Sequence, residues 1–167
     1  MTDETVVRAA VAEDVPAICR FGEEVVEDHY RPLIGEEAAA AQVRDWWNRD
    51  RITEAVESGL VVIAETGGNV IGVAQRGRHG NDHVVYKLYV HPEHRGRGIG
   101  PRLLDAIAAR LPAGVDRLYI EHFAANTRAS AFYEREGYVV DRIEPSPSGD
   151  ARRDVIWRVR RFDEPTR

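Results

Sequence analysis

Fourteen consecutive residues, His91 to Leu104 (HPEHRGRGIGPRLL), set three alternating glycines, Gly96, Gly98 and Gly100, among three arginines, Arg95, Arg97 and Arg102. Glycine accepts left-handed backbone angles and carries no Cβ, so a turn built from it can aim several N–H groups at one bulky anion. Where such a turn runs into a helix, the unpaired amides and the positive dipole end of the first helical turn converge on the same point, which suits a phosphate or pyrophosphate. Ile99 sits between the last two glycines, and the arginines supply counter-charge. Two better-known phosphate loops are excluded. No Lys followed by Ser or Thr closes the turn, as a P-loop requires, and Pro101 stands where a dinucleotide fingerprint needs its third glycine.

A loop of this kind needs a strand before it and a helix behind it. His83–Val90 (HVVYKLYV) is β-branched and aromatic and is closed by Pro92, while Leu103, Leu104, Ile107, Ala108 and Leu111 recur at helical spacing up to Pro112. Upstream, a strand is expected over Thr5–Val11. A helix follows from Asp14 and Pro16, stopped by Pro32 and Gly35, and a second helical region runs from Glu36 to Glu57 through Trp46 and Trp47. Leu60–Glu65 and Val70–Arg76 flank Gly67-Gly68-Asn69 as a hairpin, and Gly77–Asp82 reads as a further turn. Downstream come a strand over Asp116–Glu121, a helix over Asn126–Glu136 ended by Gly137, and two strands, Tyr138–Ile143 and Asp154–Phe162, able to pair. The order βααβββαβαββ predicts an α/β (α+β mixed) fold: a central mixed, mostly antiparallel sheet of about seven strands flanked by four helices. At 167 residues the expectation is one domain over 1–167.

The formal net charge of -5 argues against wholesale binding to nucleic acid or to an anionic membrane. Cys19 is the only cysteine, which excludes an intrachain disulfide and a thiolate zinc cluster. His79, His83, His91 and His94 have no recognised ligand spacing, so no metal is expected. Met1–Thr5 is polar and acidic rather than basic and apolar, which points to the cytoplasm.

Arg95-Gly96-Arg97-Gly98-Ile99-Gly100, in the setting LYVHPEHRGRGIGPRLL, resembles the Q/R-x-x-G-x-G/A signature of the GNAT superfamily of N-acetyltransferases. A second stretch, Asn126 to Tyr138 (NTRASAFYEREGY), is similar to the N-x-x-A-x-x-F-Y-x-x-x-G-F/Y segment that members carry one strand later. With the element order, the resemblance covers nearly the whole chain. It implies an acyl-CoA N-acyltransferase fold with acetyl-CoA as cosubstrate and no metal. It also implies that main-chain amides from Arg95 to Gly100 hold the pyrophosphate, with Arg102 nearby, and that Leu88, Tyr89 and Val90 pair with the pantetheine arm. Asn126 would touch the pantetheine or adenosine side, and a backbone N–H near Val90 would polarise the thioester carbonyl. Pro101 departs from the pattern in lacking an N–H. Homodimerisation, through the final strands, is a further implication.

The resemblance also points the hydroxyl of Tyr133 at the CoA sulfur. A phenol of pKa ~10 can protonate a thiolate whose conjugate acid lies near ~8.5 when the hydrogen bond is preformed, so Tyr133 is expected to be the general acid. An alkylammonium must lose its proton before attack, and Glu23, Glu24, Asp28, His29, His83, Glu121 and His122 are candidates to receive it. Glu121 and His122 rank first because they are expected to end a strand beside the acceptor. The expected reaction is acetyl transfer to a primary amine of a small molecule by direct attack in a ternary complex. The acidic first helix and the tryptophan pair suggest a cationic or polyamine-like acceptor. A protein or peptide acceptor, or a noncatalytic acyl-CoA sensor, are the alternatives.

Overall fold

The computed structural model describes residues 4–162. Seven strands form one sheet in the order β1-β2-β3-β4-β5-β7-β6. They are β1 (Val6–Ala9), β2 (Val61–Thr66), β3 (Asn69–His79), β4 (Asp82–Val90), β5 (Arg117–Phe123), β6 (Val139–Glu144) and β7 (Val155–Arg161). β1–β2, β2–β3, β5–β7 and β6–β7 are antiparallel. β4 and β5 are parallel, paired at Val84–Tyr119 and Val85–Ile120, as a helical crossover between them requires. The expected mixed, mostly antiparallel sheet is therefore present. The described residues divide into two compact units, 4–76 with 87–109, and 77–86 with 110–162.

In the first unit, β2 is buried along its apolar run. Val61, Ile63 and Val73 point to one face and join a core with residues of α1 (Val15–Phe21), α3 (Glu36–Trp46) and α4 (Arg49–Glu57). The opposite face receives α5 (Ile99–Ala109): a Cβ at Gly72 would lie 3.0 Å from Leu103 Cδ1 and 3.3 Å from the Tyr89 carbonyl, so this glycine sets how closely α5 seats. Between α1 and α2 (Glu27–Ile34) the helix widens by one residue over Gly22–Val26, where the Glu27 N–H reaches back to the Gly22 carbonyl. A Cβ on Gly22 would meet the Trp47 ring at 2.8 Å, so the wide turn is also where the tryptophan packs.

Several boundaries differ from expectation. The Glu36–Glu57 region is two helices, because Asn48 takes an extended backbone and its Oδ1 accepts the Arg51 N–H at 2.9 Å, capping α4. The break separates the neighbouring tryptophans: Trp46 is 48% exposed and Trp47 only 4%. Pro32 lies inside α2, which ends at Gly35. β3 continues through Gly77, whose missing Cβ makes room for the Tyr86 ring, and turns only after His79.

In the second unit, β7 inserts between β5 and β6, so the last two strands pair as expected while β5 bonds to β7. One face of β5 and β7 carries Tyr119, Trp157 and Val159 in a cluster with Val84 of β4, and the half-buried Tyr86 and Val155 pack against it. On the other face, Arg158 is buried and donates to Ser130 Oγ of α6 (Thr127–Arg135) at 2.7 Å and to the Tyr138 carbonyl at 3.0 Å.

Candidate active site

β4 delivers the chain to the glycine-rich loop. The His91 N–H bonds to the Ile71 carbonyl at 2.7 Å, and Pro92–His94 form a single tight turn closed onto His91. Gly96 and Gly98 both have φ +76°, the left-handed region where a side chain is strained, and nothing lies within 4 Å of the space a Cβ would fill at either. The first backbone bond of the helix runs from Arg102 N–H to the Gly98 carbonyl, so the amides of Gly98, Ile99 and Gly100 precede the helical ladder. Pro101 falls inside this first turn and has no N–H to offer. The residues from Gly96 to Gly98 are exposed, Ile99 is buried and anchors the helix, and Leu88, Tyr89 and Val90 are half-buried.

The arginines differ in posture. Arg102 donates to the Thr5 carbonyl at 3.0 Å and so tethers α5 to the chain entering β1. Arg97 is exposed, with a guanidinium nitrogen 3.4 Å from His94 Nδ1, and Arg95 is half-buried in an extended conformation.

In the second unit the expected base pair separates. β5 extends to Phe123, so Glu121 and His122 do not end a strand as expected; as consecutive strand residues they point to opposite faces. His122 is buried on the α6 face. Its Nε2 accepts from Arg158 at 3.1 Å, and its Nδ1 lies 3.0 Å from the Phe123 carbonyl. That pattern fixes the neutral Nδ1–H tautomer, and burial lowers its pKa further, so taking a proton would break the Arg158 bond. Glu121 lies on the other face, in register with Trp157. Burial first, then the nearby Glu144 charge, raises its pKa to about 7, with Arg142 opposing the rise. Trp157 Nε1 is buried with no hydrogen-bond partner among the described residues, and Arg142 stacks 4.3 Å over the indole.

Tyr133 is buried in α6, its ring 5.7 Å from that of His122 and 6.2 Å from that of Tyr138. Asn126 caps this helix through Oδ1, which accepts the Ala129 N–H at 3.1 Å. Of the other base candidates, Glu23 and Glu24 are exposed and Asp28 pairs with Arg31 at 2.9 Å. His29 packs edge-on against Tyr30 and Tyr89, and His83 is buried.

One charged residue escaped the sequence reading. Lys87 of β4 is buried, its Nζ 2.9 Å from Gln75 Oε1 and 5.2 Å from the centre of the Trp47 ring. Burial first, and then Arg51, push its pKa down to about 8. The only signal in the sequence is a lysine alone within an apolar strand, HVVYKLYV.

A strand, a glycine-rich loop and a helix assembled this way on a mixed sheet are the framework of an acetyltransferase fold. The acetyltransferase (GNAT) domain model matches residues 57–140, half of the chain, taking in the loop, β5 and α6. The chain belongs to the GNAT family. Its fold is similar to that of PaiA N-acetyltransferase from Thermoplasma acidophilum, solved with coenzyme A, at a TM-score of 0.79 and 17% identity over 95% of this chain and 99% of that one. A GNAT-family acetyltransferase from Bacillus cereus gives a TM-score of 0.73 at 15% identity, covering 96% and 99%. An acetyltransferase from Bacillus anthracis in complex with acetyl coenzyme A matches over 62% of each chain, at a TM-score of 0.56 and 21% identity. Among the described residues no helix is long and apolar enough to cross a membrane.

Proposed function

We propose that residues 1–167 form one N-acetyltransferase domain that passes the acetyl group of acetyl-CoA to a primary amine of a small molecule, by direct attack in a ternary complex. The observation that carries this reading is the loop. Gly96 and Gly98 hold left-handed angles with open space above them, in front of a helix whose first amides have no helical acceptor. An exposed concentration of N–H groups and positive dipole is matched by a diphosphate, with Arg95 and Arg97 as counter-charge. Arg102, bonded to the Thr5 carbonyl, acts mainly by holding α5 in place. Leu88, Tyr89 and Val90 would present their backbone to the pantetheine arm, and Asn126, whose Oδ1 caps α6, would meet the donor through Nδ2.

Glu121 is the base this reading favours. A carboxylate with a pKa near 7 is ionised often enough at neutral pH, and basic enough, to relieve an ammonium of its proton. The freed amine attacks the thioester carbonyl. The resulting tetrahedral centre collapses with cleavage of the C–S bond, Tyr133 hands its phenolic proton to the departing thiolate, and the surplus proton of the attacking nitrogen passes to the phenolate so formed, leaving a neutral amide, a thiol and a restored tyrosine. His122 has both ring nitrogens engaged and serves as a neutral wall beside Tyr133. No metal is assigned a role. A cytoplasmic homodimer belongs to the same proposal; β6, the last strand of the sheet, exposes Val139, Val140 and Ile143 and would be its seam.

The test is release of CoA from acetyl-CoA across a panel of small amines and peptides, with donor binding followed by calorimetry. Turnover of small amines is expected. Turnover of peptides alone would favour the protein-acceptor alternative, and tight binding of acetyl-CoA without turnover would favour a sensor.

A further inference from the structure

From the setting of Lys87 we infer that the acceptor amine carries a carboxylate, and that Lys87 is the residue that recognises it. The inference rests on the acetyl-transfer reading above and narrows its substrate class.

A lysine placed in a protein interior normally brings its own counter-ion, because an unpaired buried charge is costly. Lys87 has none among the described residues. Its ammonium is held by the neutral Gln75 amide oxygen and by the face of Trp47. Its charged neighbour Arg51 is a second cation, stacked 4.9 Å over Trp46. The Cys19 thiol acts on it electrostatically, but burial and then Glu23 push that thiol toward its neutral form. Burial, and then Arg51, lower the Lys87 pKa to about 8 with no carboxylate to offset them, and at neutral pH most of the population stays charged.

The position is as informative as the charge. Lys87 and Tyr89 alternate with Leu88, so both look toward α1 from the strand segment assigned to the donor. Around them stand Trp47, with its ring 5.6 Å from that of Tyr89, and Tyr30, which shares a hydroxyl hydrogen bond with Tyr89. Aromatic faces beside one ammonium match a short hydrocarbon chain ending in a monoanion. A phosphate would call for several convergent donors, of which Lys87 is one. The polyamine-like acceptor suggested by the acidic first helix fits less well: Glu23 and Glu24 are turned to solvent, and Lys87 with Arg51 would repel a second ammonium.

The experiment compares acetylation of α-, β- and γ-amino acids with their primary amides and with linear diamines of equal length, in the wild type, Lys87→Met and Lys87→Arg. Donor binding is measured by calorimetry alongside, and intrinsic tryptophan fluorescence reports amino-acid binding without donor. Expected is a KM for the acids at least about 10-fold below that of the amides. This preference should collapse toward unity in Lys87→Met, mainly through KM, and persist in Lys87→Arg, since losing one partner of a buried charge pair commonly weakens binding by about 30-fold or more. Equal use of acids and amides by the wild type, a preference for diamines, or a parallel loss for acids and amides in Lys87→Met would overturn the inference. A wild type that binds acetyl-CoA yet acetylates no amino acid overturns it too. A wild type that binds no acetyl-CoA instead overturns the acetyl-transfer reading on which it rests.

Discussion

Replacing Glu121 by Gln tests the proposed base by two routes that must agree. The carboxyl sits at about 7 rather than at its usual 4.5, chiefly through burial and secondarily through Glu144. Below pH 4.5 the group is neutral in both folded and unfolded chains. As pH rises past 4.5 the unfolded chain ionises while the folded one keeps its proton, so the wild type loses stability until pH 7, where the loss levels off. At about 1.4 kcal/mol per tenfold difference, the gap between 4.5 and 7 corresponds to about 3 kcal/mol, reduced by residual solvent contact to about 2–3 kcal/mol. Gln keeps the shape and carries no charge. Glu121→Gln should therefore match the wild type near pH 4 and exceed it at pH 8, by about 4–12 °C in melting temperature for a chain of this size. In the same variant kcat/KM should fall about 100-fold or more, and the acid limb that the wild type shows with a midpoint near pH 7 should vanish. Differential scanning calorimetry from pH 4 to 8 and CoA-release kinetics over the same range supply both curves. A stability difference that does not change with pH, or a variant that retains the limb, refutes the assignment. Glu144→Gln should shift the wild-type limb to lower pH by removing the like charge.

Tyr133→Phe should lower kcat about 100-fold or more while acetyl-CoA still binds, a split read by steady-state kinetics beside calorimetry. Gly98→Ala forces a side chain into φ +76°, at a cost of about 1–2 kcal/mol; calorimetry should show acetyl-CoA affinity reduced by about 5–30-fold. Gly22→Ala drives a methyl to within 2.8 Å of Trp47 and should destabilise the protein by about 1–3 kcal/mol in urea unfolding.

The loop could be read from sequence because its chemistry is local. Alternating glycines before an apolar helical repeat specify a strand-to-helix turn whatever surrounds it, and Gly96 and Gly98 adopt the left-handed angles that make glycine necessary. Strand order was less accessible. That β7 bonds to β5 depends on pairing across 32 to 44 residues, for which no local pattern exists. The break at Asn48 was concealed by good helix formers on both sides, although an asparagine cap is itself a local signal. Glu121 and His122 could be nominated as a pair, but their different settings became visible only with the strand continuing to Phe123 and Arg158 coming from β7 onto one imidazole. Lys87 went unnoticed for the same reason: only the fold shows that no carboxylate of the described residues comes to meet it.

The one-residue widening at Gly22–Val26 works as a phase shifter in the long helical passage from Val15 to Ile34. Removing a single residue there would restore an ordinary helical repeat without losing a hydrogen bond, and would rotate everything after it by about 100°. Tyr30 would then swing away from Tyr89 while Ile18 and Phe21 stayed in the core. The surplus residue thus sets the azimuth of the aromatic wall independently of the packing that holds the helix down, so natural variation in this wall can arise by insertion or deletion as readily as by substitution.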